Sequence, residues 1–174
     1  MQFTLSEQAR DYEQILALQG LNHADAIGHA ADGFVSLTHT VALLHAVRGP
    51  YRHVIAREGD VLAGYALVMQ RDSGALFPEL GPMFATAERG LGVQPFFVMG
   101  QVCVAQAFRG KGVFDGLYAA LRAQMREHFP LVVTEVAKVN TRSMDAHRRV
   151  GFRPLASNDP ASEWVVVAWD WGKS

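Results

Sequence analysis

Residues Phe96–Val104 form a nearly continuous apolar run, Phe-Phe-Val-Met-Gly-Gln-Val-Cys-Val, which suits a strand covered on both faces. A two-glycine turn follows, and then apolar residues recur every fourth position at Val113, Leu117, Leu121 and Met125, with Phe114 and Tyr118 beside them. That spacing is one face of an amphipathic helix. A second β-rich stretch covers residues 131–139. Strand, helix and strand in this order make a parallel crossover, with the helix laid on a sheet.

The rest of the chain is read around that unit. Helical spacing covers residues 9–19 before Gly20, and residues 37–47 before Gly49-Pro50. Residues 52–57 and 61–70 are β-rich and separated by Glu58-Gly59-Asp60, which predicts a tight hairpin. Residues 73–95 read as loop, with Gly and Pro throughout, and residues 141–150 as helix ending at Gly151. Residues 152–156 and 163–170 are the last two strands. The expected order is β-α-α-β-β-β-α-β-α-β-β, an α/β (α+β) fold with a mixed central sheet and antiparallel hairpins at both ends.

Composition sets outer limits. The 174 residues are 49% hydrophobic, which excludes disorder and low-complexity classes and fits one domain over residues 1–174. Sixteen Lys and Arg stand against seventeen Asp and Glu, so net charge gives no reason to expect a nucleic acid or a membrane surface as partner. The charge is uneven, however. Residues 1–94 carry 6 basic and 10 acidic side chains, and residues 95–174 carry 10 and 7, which points to a polyanionic ligand on the C-terminal half. One cysteine, Cys103, and no apolar run of membrane length predict an intracellular, cytoplasmic protein without an intrachain disulfide.

Between the apolar strand and its helix lies Gln106-Ala107-Phe108-Arg109-Gly110-Lys111-Gly112-Val113. Two glycines let the backbone aim several N–H groups at one point, beside a helix start whose first N–H groups have no intrahelical partner. Such a turn holds a phosphate or pyrophosphate, with Arg109 and Lys111 adding charge. The same turn also serves as a solvated surface loop, and it is not a P-loop. After the next strand comes a second motif, Asn140 to Phe152. Offsets of three and seven align Asn140, Ser143 and His147 on one helical stripe that Val150 continues. Polar residues on a core-directed stripe need partners, either as a cap and a satisfied core histidine or as a site.

This pair of motifs resembles the GNAT superfamily of acyl-CoA-dependent N-acetyltransferases. The family's first motif is Arg/Gln-x-x-Gly-x-Gly/Ala, matched by Arg109 and Gly112, with Phe114 departing from it. Its later motif is Asn, a small or polar residue, an aromatic that is commonly Tyr, then Gly-Phe. Asn140, Ser143, His147, Gly151 and Phe152 fit, with His147 where Tyr is commoner, as in branches resembling phosphinothricin acetyltransferases. The resemblance implies acetyl-CoA as cosubstrate, in a cleft where the strand bearing Val102, Cys103 and Val104 splays from the one ending near Val139. It implies that N–H groups from Arg109 through Gly110, Lys111, Gly112 and Val113 to Phe114 hold the pyrophosphate. Asn140 would hold the pantetheine arm or the turn beneath it, with Ser143 on the same wall. An amine of a small molecule or peptide would attack the thioester directly, with His147 facing the departing sulfur as the acid that protonates it. Many relatives are dimers, so a homodimer is an expected partner.

A base must take a proton from the acceptor ammonium. Glu135 shares a strand face with Val133 and Ala137, so an acid there belongs to a site or is paired in the sheet. Glu79 reads as solvated loop charge, and Cys103 as a core thiol rather than a nucleophile. The other histidines, His23, His29, His39, His45, His53 and His128, lack ligand spacing, so no metal is expected. Two rivals share parts of the motif set. A non-catalytic acyl-CoA-binding regulator would keep Arg109 and Gly112 without needing His147, and a phosphate-binding module would use the glycine turn alone. The stretches expected to line an acceptor pocket, residues 21–36 and 73–95, carry no such motif.

Overall fold

The computed structural model describes residues 1–23, 37–157 and 159–172. Part of the first expected acceptor stretch, with His29, lies outside these residues. The elements are β1 Gln2–Leu5, α1 Ala9–Leu21, α2 Val41–Arg48, β2 Val54–Glu58, β3 Val61–Met69, α3 Gly81–Leu91, β4 Phe96–Val104, α4 Val113–Met125, β5 Leu131–Ala137, α5 Thr141–Val150, β6 Arg153–Pro154 and β7 Trp164–Asp170. They build a seven-stranded sheet in the order β1-β2-β3-β4-β5-β7-β6. Only β4 and β5 run parallel, joined through α4, and every other pairing is antiparallel.

One helix exceeds the expected order. Within the stretch read as loop, short 3₁₀ turns at Arg71–Leu76 and Pro78–Leu80 lead into α3. Pro82 sits in the first turn of α3, where its missing N–H costs nothing, and Gly92 (φ +62°) stops the helix. Met83, Phe84 and Ala87 bury one side of α3 against Phe96, Val98, Val133 and Val166. Tertiary burial therefore decides a segment that local punctuation left as loop.

The two faces of the sheet are covered by different helices. Val113, Leu117, Leu121 and Met125 of α4 pack with Val54, Phe97, Val132 and Val167, and Met144 and Val150 of α5 join them. On the opposite face α1 and α2 pack Tyr12, Ile15 and Leu44 on Ile55, Tyr65 and Leu67, beside the α3 cluster. Arg57 of β2 donates to Asp11 of α1 at 2.6 Å, a buried ion pair that fixes the start of α1 on the sheet. Among the described residues no helix is long and apolar enough to cross a membrane.

Candidate active site

Pairing between β4 and β5 lasts for three rungs, Phe96 with Leu131, Phe97 with Val132 and Val98 with Val133, and then stops. The cause is local. Across the β3–β4 ladder Val68 faces Met99 and Leu67 faces Gln101, so Gly100 is an extra residue without a partner. This is a β-bulge, which bends a strand and raises its twist. Before the bulge Phe97 and Met99 face α4, and after it Val102 and Val104 do. The far half of β4 therefore leaves β5 and opens a V in the middle of the sheet, with its outer main-chain edge unpaired among the described residues. An isolated glycine in a strand pattern is a signal for such a bulge, although the apolar run alone reads as regular strand.

Two cavities meet in the V. The larger, about 530 Å³, lies between α4 and α5 and is lined by Val102, Val104, Gly110, Gly112, Asn140 and Ser143 among others. The smaller, about 80 Å³, is a passage between the splayed strands, and it shares Val102, Asn140 and Ser143 with the larger one. At the end of the large cavity Gly110 and Gly112 have φ of +75° and +76°, which favour glycine, and a Cβ on either would meet nothing within 4 Å. The first α4 bond runs from the Gly116 N–H to the Gly112 carbonyl, so the N–H groups of Val113, Phe114 and Asp115 lie at the open helix end. Arg109 donates from Nε to the Val104 carbonyl at 3.3 Å and from Nη2 to Asn22 Oδ1 at 2.7 Å, tying the loop to β4 and α1. Lys111 lies 5.4 Å from the Phe108 ring centroid. Arg149 reaches across from α5 to Asp115 of α4 at 2.7 Å, an exposed pair.

The bulged, splayed parallel pair thus ends on a glycine-shaped helix start. The family model "Acetyltransferase (GNAT) family" matches residues 22–152. The chain belongs to the GNAT acetyltransferase family. Solved structures agree on the fold of this GNAT chain at low identity. The yncA protein of Salmonella typhimurium, solved with its cofactor acetyl-CoA, superposes with a TM-score of 0.67 at 19% identity, covering 98% of this chain and 94% of that one. The ribosomal-protein-S18-alanine N-acetyltransferase of Escherichia coli gives 0.63 at 12% identity, covering 97% and 94%. Ard1 of Thermoplasma volcanium gives 0.64 at 14% identity, covering 98% of both chains. No curated protein sequence matches.

In this GNAT chain Asn140 caps α5, its side chain accepting from the Ser143 N–H at 3.1 Å. The residue is buried and lines both cavities, and its Nδ2 makes no hydrogen bond among the described residues. His147, 2% exposed, forms the inner wall of the passage, with Phe114, Tyr118 and Phe152 edge-on around it. Its Nδ1 lies 2.8 Å from the Ser143 carbonyl and its Nε2 2.7 Å from the Tyr118 hydroxyl. A carbonyl only accepts, so Nδ1 carries the proton and Nε2 accepts from Tyr118. Burial pushes the imidazole down to about 4, against the opposing effect of the Ser143 carbonyl, so the ring is neutral. Phe114, which departs from the family motif, turns its ring onto His147 and Tyr118 and stands in the cavity wall.

Glu135 stands on the other face of the passage. Its cross-strand partner is Val166, and Ala137 on the same face pairs with Trp164. Partly buried, it makes no hydrogen bond or ion pair among the described residues, and burial pushes its carboxyl up to about 7. Of the two sequence alternatives for Glu135, the sheet supplies no partner. Glu79 is exposed and does not line the passage. Cys103 is buried beside Tyr65 on the α1 side, and burial raises its thiol to about 12, the environment of a core thiol. Among the described residues no cluster of His, Cys, Asp and Glu is arranged to hold a metal. Sequence reasoning missed Gln101. Its amide joins α1, β3 and β4, accepting from Gln19 Nε2 at 2.7 Å and the Tyr65 hydroxyl at 2.6 Å, and donating to the Leu37 carbonyl at 3.0 Å.

Proposed function

We propose that this chain is an acetyl-CoA-dependent N-acetyltransferase that moves the acetyl group directly onto a primary amine of a small molecule or peptide. The observation that carries the reading is the passage through the sheet, which joins a glycine-shaped anion cradle on one face to a carboxyl without a partner among the described residues on the other. The N–H groups of Val113, Phe114 and Asp115, with Gly110 and Gly112 leaving room, hold the pyrophosphate. The unpaired edge of β4 at Val102 to Val104 hydrogen-bonds the pantetheine as an added strand, and Asn140 Nδ2 donates to the same arm. Glu135 takes the proton of the acceptor ammonium. The free amine attacks the thioester carbonyl, the C–N bond forms, the C–S bond breaks with its electron pair going to sulfur, and the second proton shed by the nitrogen passes to that sulfur, so that CoA leaves as the thiol. Direct attack needs no acyl-enzyme, which agrees with the suppressed thiol of Cys103.

His147 enters this mechanism as a positioning residue. The neutral ring's one proton, on Nδ1, is held by the Ser143 carbonyl and Nε2 is occupied by the Tyr118 hydroxyl, so the ring's surroundings favour the core-histidine alternative over a group that protonates the sulfur. Calorimetric titration with CoA and thiol release from acetyl-CoA over an amine panel test the reading. Binding at one CoA per chain with amine-dependent thiol release is expected. Binding without turnover for every amine means a regulator, and no binding removes the reading.

A further inference from the structure

The passage is asymmetric in its chemistry. On the α5 side its wall is Asn140, Ser143 and His147, and on the α3 side it is Leu37, Leu80, Met83 and Trp164. Among the described residues Glu135 is the only acid lining it, and no Lys or Arg does. Gln101 also lines it, but its carbonyl oxygen already accepts two hydrogen bonds and its amide donates to Leu37. With about 80 Å³, the passage admits a slim chain and no bulky polar group. The carboxyls of Glu79 and Glu163, next to Leu80 and Trp164 in sequence, belong to exposed residues outside the lining.

We propose that the acceptor is an apolar monoamine, a primary amine on an unbranched methylene whose remaining body is hydrocarbon and carries no second cation. This rests on the acetyltransferase reading above. The reacting ammonium pairs with Glu135, which has no partner among the described residues to give up. Hydrocarbon behind it lies against Leu37, Leu80, Met83 and Trp164 and gains from leaving water. A second ammonium a few bonds further on would be stripped of water among the same side chains, with no second acid among the described residues to meet it, which is strongly unfavourable. A methyl group on the carbon bearing the nitrogen would widen the chain inside a passage of only about 80 Å³.

The test compares matched amines on the full chain with saturating acetyl-CoA, reading thiol release. Butylamine is expected to exceed 1,4-diaminobutane in kcat/KM by at least about tenfold, and benzylamine to exceed 1-phenylethylamine by a similar factor. Leu37→Glu, which adds an acid to a partly buried wall position, should narrow or reverse the first ratio. Equal or better turnover of the diamine by the unmodified chain overturns the acceptor class. So does CoA binding with transfer to none of the four amines, and both results leave the CoA site standing. Failure to bind CoA in a parallel titration overturns the acetyltransferase reading and the acceptor class together.

Discussion

Two titratable side chains face each other through the sheet, and their surroundings push them in opposite senses. Glu135, raised to about 7 by burial, is half protonated near neutral pH, the range in which a base exchanges protons with solvent and with an ammonium. If it is the base, kcat/KM falls on the acid side with an apparent pKa near 7, and Glu135→Gln removes that limb. The same change should lower kcat by roughly a hundredfold while CoA affinity stays constant, read by a pH profile and a titration on one preparation. His147 makes the contrary case. His147→Phe leaves the buried Tyr118 hydroxyl without its acceptor, so thermal unfolding should show a loss of about 1–3 kcal/mol. Any loss of kcat should be shared by variants that disturb α5 without touching the ring, and His147→Tyr should not shift an alkaline limb. A limb that moves upward with Tyr would return the acid role to this position.

The elements divide into those whose periodicity dictates them and those that packing dictates. β4, α4 and α5 carry strong patterns and occur where the sequence puts them, and the antiparallel hairpins flank them as expected. The helix α3 was not legible, because Gly81, Pro82, Gly90 and Gly92 punctuate it locally and its stability comes from burying Met83, Phe84 and Ala87. At the candidate site the glycine turn and the Asn140 cap were readable from residue type and spacing. The lack of a partner for Glu135 and the double engagement of His147 were not, since both depend on neighbours far away in sequence, Val166 and Tyr118. Gly112 sharpens the expectation for the turn. At φ +76° a β-branched residue is strained by about 1–2 kcal/mol, so Gly112→Val should cost some stability as well as fill the cradle. Calorimetry should find CoA affinity reduced by far more than that strain implies in the fraction that remains folded.

Across the whole molecule, acid stability follows from buried imidazoles. His39 and His147 are pushed down to about 4 and His53 to about 3, each by burial. The unfolded chain binds protons at these sites near pH 6.5 and the folded chain does not, so stability falls as pH drops from about 6.5 toward 4. Glu135 acts in the opposite direction. Its folded form stays protonated above the pKa of an unfolded carboxyl, so its contribution is lost as pH rises from about 4.5 to 7. Three histidines outweigh one glutamate. Denaturant midpoints should decline on acidification through this window, and Glu135→Gln should steepen the decline by removing the opposing slope.

The V in the sheet also divides the amide protons of a single strand into two populations. In the far half of β4 alternate N–H groups point to β3, which is paired as far as Val104, and the intervening ones point into the opening where β5 is no longer a neighbour. Hydrogen–deuterium exchange along residues 101–104 should therefore alternate with a period of two, slow toward β3 and fast toward the gap. At Val98, which is paired with both β3 and β5, exchange should be slow whichever way its N–H points. Saturating CoA should slow only the fast set, and uniform protection in the free protein would mean that the two strands close on each other in solution.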